Sequence, residues 1–492
     1  MADLSPIQNG SPMSIRQQIM LTARLSLPAI MAQLSTILMQ YIDASMVGQL
    51  GINPSAAVGL VGTSLWLFWG VCSAMTVGFT VQVAHKIGAR KNDDAKSILR
   101  QSFTSAIIFS VVITLIGLAI APYLPYWLGG KEEIAGMSTE YFMIFISALP
   151  GLTISFLAGG MLRCAGNMKV PSILNALMAI LDILFNYLLI FPTRDVTVFN
   201  STITMPGAGL GVAGAALGTV MAELLVASLM LYFLVVKEDS LKLKGTSGSY
   251  IPTRQTIRKA LKISAPMTLE HAVICGAQIM ITVIVAPLGV VAIAANSFAV
   301  TAESLCYMPG YGIGDAATTL VGQSHGAGRK ELTRRFGYIA VGLGMTVMSI
   351  MGILMWVCAP WMMELMSPVK EISTLGAEIL RIEAWAEPMF AAAIVSYGAF
   401  IGVGDTLIPA CMNFSSIWIV RLPLAALLAP RIGLKGVWIA MCIELCFRGF
   451  ILLVRLKGKK WTSKTGNNKD NSDNIESIQD EDFIIGSGKD LN

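Results

Sequence analysis

The sequence predicts an all-α polytopic membrane protein, with twelve transmembrane helices forming two parallel-repeat six-helix lobes around a central cleft. Three observations carry that reading. Of 492 residues, 54% are hydrophobic and only 13% are charged, whereas a soluble domain carries about 25% charged residues. The apolar residues fall in blocks of twenty or more, long enough to cross a bilayer. The chain also repeats itself: Pro28, Pro122, Pro150, Pro171 and Pro192 are each followed by another proline 238 residues later.

Taken in order, residues 25–50, 55–84, 101–127, 138–162, 171–192 and 210–236 read as the spans of a first lobe, residues 1–236. Residues 263–288, 293–323, 336–359, 376–402, 408–430 and 433–454 read as those of a second, residues 237–460. No block alternates apolar and polar residues in the manner of a barrel strand, so strands are not expected. The N-terminal stretch "MADLSPIQNGSPMSIRQQIM" is polar for too long to be a signal peptide, so the first span is expected to stay in the mature protein. Residues 461–492 are polar and acid-rich and are expected to form a disordered cytoplasmic tail.

Six is an even number of crossings, so the two halves run the same way through the membrane, as a parallel repeat. Shorter matches share the offset: "LG" at 50–51 and 288–289, "GA" at 88–89 and 326–327, and Asn175 with Asn413. After Pro192 the first half carries 16 additional residues. Lysine and arginine set the orientation. With the N-terminus inside, the inner segments before the tail hold twenty such residues and the outer ones five (Lys131, Arg194, Lys370, Arg431 and Lys435). Both termini are therefore expected in the cytoplasm, in the inner membrane of a prokaryote.

Composition excludes several functions. The net charge of +5 reflects basic loops rather than a nucleic-acid surface. The eight cysteines lie in or beside apolar blocks, with no CxxC pair and no zinc spacing. No GxxxxGK[ST] is present, which argues against ATP as the energy source. A membrane-embedded enzyme would need a constellation such as HExxH, and the three histidines (85, 271 and 325) lie on separate segments. No cofactor is expected.

The segments "VQVAHKIGARK" (81–91) and "LVGQSHGAGRK" (320–330) resemble the paired VAQ-x-x-GA signatures of multidrug and toxic compound extrusion (MATE) transporters. "MLRCAGNMKVP" and "FIGVGDTLIP" resemble that family's RAxGDTKxP segments after its fourth and tenth helices. "LDILFNYLLI" followed by "GLGVAGAALGTVMAE" resembles its fifth and sixth. The resemblance runs over residues 15–457, once per half. It implies export of cationic or amphiphilic compounds in exchange for sodium ions or protons, by a chain expected to act as a monomer among membrane lipids.

The intramembrane polar residues give this expectation a place. Gln33, Thr36, Gln40 and Asp43 step by 3, 4 and 3, on one helical face. Asn175, Asp182 and Asn186 share a face of the fifth span, and Thr219 adds a hydroxyl on the sixth. Two carboxylates, an amide and a hydroxyl are hard oxygen ligands suited to Na⁺, bound chiefly by Asp43, Asp182 and Asn186. Equally, two close carboxylates in a medium of low dielectric compete for one proton. The resemblance implies a cation site at Asp43, at an Asn/Asp pair on the fifth helix and at a threonine on the sixth. That pair runs amide then acid in the archaeal-type site, and acid then amide here. The repeat supplies a control, because the partners of Asp43, Asp182 and Asn186 are the apolar Ile281, Val420 and Leu424. Packing alone does not demand acids in the first half.

The second half carries its own polar set. Glu270, Gln278, Glu303, Asp315, Glu387 and Tyr307 are candidates for the wall of a substrate cleft, with Glu383 and Glu387 on one face by their i,i+4 spacing. Glu444 and Arg448 have the spacing of a neutralising pair. A second reading, a flippase for lipid-linked oligosaccharide from the related superfamily, calls for more arginine in the cleft than Arg421, the main mid-helix arginine, provides.

Overall fold

The structure is a computed structural model and describes residues 4–198 and 201–463. Its membrane spans are α1 (Ile15–Gly48), α2 (Ile52–Gly88), α3 (Asn92–Ile120), α4 (Glu132–Cys164), α5 (Lys169–Ile190) and α6 (Gly211–Lys237). The second half supplies α7 (Arg254–Leu288), α8 (Val290–Gly326), α9 (Lys330–Met366), α11 (Leu407–Ile432) and α12 (Leu434–Lys457). The remaining span, α10, is a bent pair, Lys370–Glu383 and Glu387–Gly402, meeting at 59°. That makes eleven helices long and apolar enough to cross a membrane, and twelve with the bent pair, among the described residues.

Local chemistry explains several boundaries. α1 begins well before residue 25 because Ser14 and Gln17 form a capping box: the Ser14 hydroxyl accepts from the Gln17 amide at 3.3 Å, and Gln17 returns the bond at 2.9 Å. The repeated "LG" has a conformational cause. Gly51 and Gly289 precede α2 and α8 with φ of 118° and 98°, which only glycine adopts without strain. α10 breaks because Pro388 opens its second half without an N–H to donate.

Two features depart from the sequence expectations. The additional residues after Pro192 form an antiparallel hairpin, β1 (Pro192–Val198) and β2 (Ser201–Ala208), pairing Val196 with Ile203. It lies between α5 and α6, outside the spans, where water can satisfy its edges. The region read as tail also begins later, since Trp461 and Thr462 are buried. Trp461 Nε1 donates to the Leu456 carbonyl at 2.8 Å, and its ring packs edge-on to Phe400. The rest of the expected tail, residues 464–492, lies outside the described residues.

Cores form mainly within each half: Val83, Leu99, Leu157, Leu162 and Val226 join α2, α3, α4 and α6, while Ala295, Met355, Leu380, Ala425 and Trp438 join α8 to α12. Helix α1 serves both. Its first turns, at Leu21 and Leu25, enter a core with Ile313, Leu320 and Phe336 of the second half, and its later turns pack along α5. The crossing is close, because a Cβ at Gly312 of α8 would stand 2.6 Å from the Ile30 backbone nitrogen.

Candidate cation site and central cavity

Three helices bring four of the expected cation ligands together. Asn186 Nδ2 donates to Asp43 Oδ1 at 2.9 Å and to Asp182 Oδ2 at 3.2 Å. The Asp43 and Asp182 carboxyl groups thus share one amide donor and stand close enough to interact, and Thr219, whose hydroxyl donates to the Ala215 carbonyl at 3.2 Å, lies beside Asp182. Two carboxyl groups this close need a proton or a cation between them. Asp182 and Asn186 are fully buried, and Asp182 Oδ1 and Asn186 Oδ1 have no hydrogen-bond partner among the described residues. A cation taking these oxygens with Thr219 would satisfy both. The fit depends on α6: a Cβ at Gly218 would overlap Asn186 Oδ1, so glycine there lets the amide approach. Gln40 is exposed one turn from the cluster, and Asn175 lies about two turns away on α5.

Glu223 escaped the sequence reading. It is buried on α6, one turn after Thr219, within electrostatic reach of Asp182. Its i,i+4 spacing from Thr219 was the available signal. Tyr141 of α4 also lies within reach of both aspartates.

A cavity of about 340 Å³ lies between the halves, apart from this cluster. Glu270 and Asp315 line it with His271, Tyr311, Tyr397 and Arg163. Glu270 accepts from Asn413 Nδ2 at 2.6 Å and from the Tyr397 hydroxyl. Asp315 faces Arg163 at 4.0 Å, and Gln33 of α1 lies beside its carboxyl group. The arginines in its wall are Arg163 and Arg448 rather than Arg421.

Gln278, Glu303, Glu387 and Tyr307 lie outside this lining. Gln278 is exposed. Glu303, Glu383 and Glu444 are buried inside the second half, within electrostatic reach of Arg421 or Arg448, and Glu387 is buried within reach of Glu303. Glu444 forms an ion pair with Arg448 at 3.1 Å, as their spacing predicts, and accepts a hydrogen bond from Ser416 at 2.6 Å. Ser416 belongs to a π-helical turn, Ser416–Arg421, that widens α11. Glu383 and Glu387 do not share one continuous helical face, because the α10 break falls between them.

One end of the cavity is sealed where α2 crosses α8. A Cβ at Gly88 would overlap the Gln323 carbonyl, and one at Gly326 would overlap the His85 carbonyl. The positions of each contact are 238 residues apart in exchanged roles, so the seal obeys the internal repeat. His85 Nε2 lies 2.8 Å from the Gly402 carbonyl, Gln323 donates to the Cys164 carbonyl at 2.7 Å, and Leu4 and Ile7 are buried at the same end.

The MatE family model matches the chain twice, over residues 28–188 and 266–427. The chain belongs to the MATE family. The two matches begin at Pro28 and Pro266, the first proline pair of the repeat. Among MATE-family relatives, the probable multidrug resistance protein NorM of Thermotoga maritima is 27% identical, over 90% of this chain and 92% of its own. The multidrug resistance protein MdtK of Yersinia pestis is 24% identical, over 89% and 94%. The solved MATE transporter VcmN of Vibrio cholerae matches with a TM-score of 0.81 at 18% identity, covering 90% of this chain and 97% of that one. A MOP superfamily transporter from Pyrococcus furiosus matches with a TM-score of 0.81 at 20% identity, covering 91% and 97%. At these identities the two structures speak to the fold alone.

Proposed function

We propose that this MATE-family protein is a cation-coupled antiporter that exports organic cations and other drugs by alternating access between two lobes, residues 1–236 and 237–460. The relatives named as multidrug resistance proteins support the substrate class. The observation that carries the coupling is the Asp43–Asp182–Asn186–Thr219 cluster, with two carboxyl groups on one amide donor and two buried oxygens without hydrogen-bond partners among the described residues. Sodium ion or proton is the coupling ion, and either satisfies that arrangement.

Helix α1 supplies the link between ion and substrate. It carries Asp43 in the cluster and Gln33 at Asp315 in the cavity wall, ten residues or about 15 Å apart along the helix. An ion that draws Asp43 towards Asp182 therefore acts on the element that also contacts the cavity, and differential binding between two states is what exchange requires. Glu270, Asp315, Tyr311 and Tyr397 offer negative charge and aromatic faces to a cation in the cavity. The lysine and arginine asymmetry supports an inner-membrane orientation with both termini cytoplasmic and the sealed end facing the cytoplasm.

Efflux of a fluorescent cationic dye from proteoliposomes, driven separately by a sodium gradient and by a pH gradient, tests the reading. Efflux under sodium alone assigns an ion-coordination site, and efflux under pH alone assigns a shared proton. Asp43→Asn should insert and fold normally yet lose coupled efflux by tenfold or more. Wild-type transport by that variant would exclude the site, and no efflux under either gradient would exclude broad export of cationic dyes and favour a narrow-substrate exporter or the flippase.

A further inference from the structure

A second charged site faces away from the transport path. Arg381, in the first half of α10, lies on the helix face opposite the buried Gly376, Leu380 and Glu383 stripe, beside the exposed Trp385. Its Nε donates to the Trp356 carbonyl at 3.2 Å, and its guanidinium lies 5.3 Å from the centroid of that indole. A guanidinium has five N–H donors, and the other four have no acceptor among the described residues. Arg381 forms no ion pair there either. Glu378, one turn before it, is paired with Lys435 of α12 at 2.8 Å, so the arginine charge is uncompensated.

The depth of this group is set by its neighbours. Helix α9 has 37 residues, about 55 Å at 1.5 Å per residue, against a hydrocarbon core of about 30 Å. Trp356 is ten residues from the end of α9, and Arg381 is eleven residues into α10, each about 15 Å from the helix end. Both therefore stand where hydrocarbon gives way to headgroups. Trp356, Trp361 and Trp385 are 46%, 67% and 76% exposed, the girdle expected at that boundary. A pocket of about 390 Å³ opens outward there, with Ile382, Ile439 and Ile443 forming an apolar wall beside Arg381.

We propose that this pocket binds the phosphate of an anionic phospholipid, with Arg381 holding the phosphate oxygens and the isoleucine wall receiving the start of an acyl chain. Charge complementarity selects the occupant. A guanidinium with four free donors at headgroup depth matches a phosphodiester, and a net negative headgroup neutralises the charge that Glu378 leaves uncompensated. The site is independent of the coupling ion and of the central cavity.

Delipidated full-length protein in detergent, titrated with dioleoylphosphatidylglycerol and followed by native mass spectrometry, tests the assignment. One saturable lipid is expected at this site, with dioleoylphosphatidylcholine binding at least tenfold more weakly. Arg381→Gln should lower the phosphatidylglycerol affinity tenfold or more while melting as wild type does without lipid. Trp385→Ala, which keeps the charge but opens the wall, should weaken it by a smaller factor. Equal binding of the two lipids, unchanged binding by Arg381→Gln, or displacement of the bound lipid by inorganic phosphate at equal concentration would each overturn the proposal.

Discussion

Asp43, Asp182 and Asn186 show how far single residues can be read. Ionisable groups in an apolar helix are costly, so each must meet a partner or a cavity, and the apolar partners Ile281, Val420 and Leu424 mark them as particular to the first half. Glu223 obeys the same logic, being buried one turn after Thr219 and within electrostatic reach of Asp182. Arg90 is a second case. Its φ is 59°, and its repeat partner, Gly328, has φ 74° in the equivalent turn. An exposed arginine there carries a left-handed penalty that glycine avoids. Arg90→Gly should therefore stabilise the protein by about 1 kcal/mol, seen as a higher melting temperature in detergent with efflux unchanged. An unchanged or lower melting temperature would mean that the turn is held by something other than this strain.

At the scale of elements, the α2–α8 crossing decides whether the cavity is closed. Backbone meets backbone at Gly88 and Gly326, so a larger side chain must part the helices. Gly326→Leu should hold this end open. Cys164, buried in the cavity wall at the same end, would then react several-fold faster with an impermeant maleimide from that side, in a protein whose other cysteines are replaced. An unchanged labelling rate would show that the crossing is not the barrier. Sequence patterning located α2 and α8 and their matching glycines, but periodicity does not say which helix a glycine face meets. The break in α10 was also hidden: the i,i+4 spacing of Glu383 and Glu387 implies a shared face only if the helix continues, and Pro388 ends it.

Over the whole molecule, the segment before α1 helps join the halves, and the segment after α12 closes over the second half. Leu4 and Ile7 enter a core with Ile313, Leu320 and Phe336, and Arg329 donates to the Pro6 carbonyl at 2.9 Å. After α12, Trp461 packs on Phe400 while Arg334 of α9 donates to Thr462 at 3.1 Å. Trp461→Ala removes a buried indole and should cost about 3–5 kcal/mol, read as a lower melting temperature of the purified protein. A change within a degree would place Trp461 outside the cooperative unit.

The sequence by itself determined the membrane class, the span order, the parallel duplication and the acids of the first half. Each rests on hydropathy or on identity at a fixed offset, which survive without coordinates. Tertiary structure alone decided which polar residues meet. It placed Asn186 between two carboxyl groups, separated Glu303 and Glu387 from the cavity that Glu270 lines, and laid α1 across both halves. The physical reason is that a helical face fixes a direction about its own axis, whereas its partner depends on how twelve helices pack against one another.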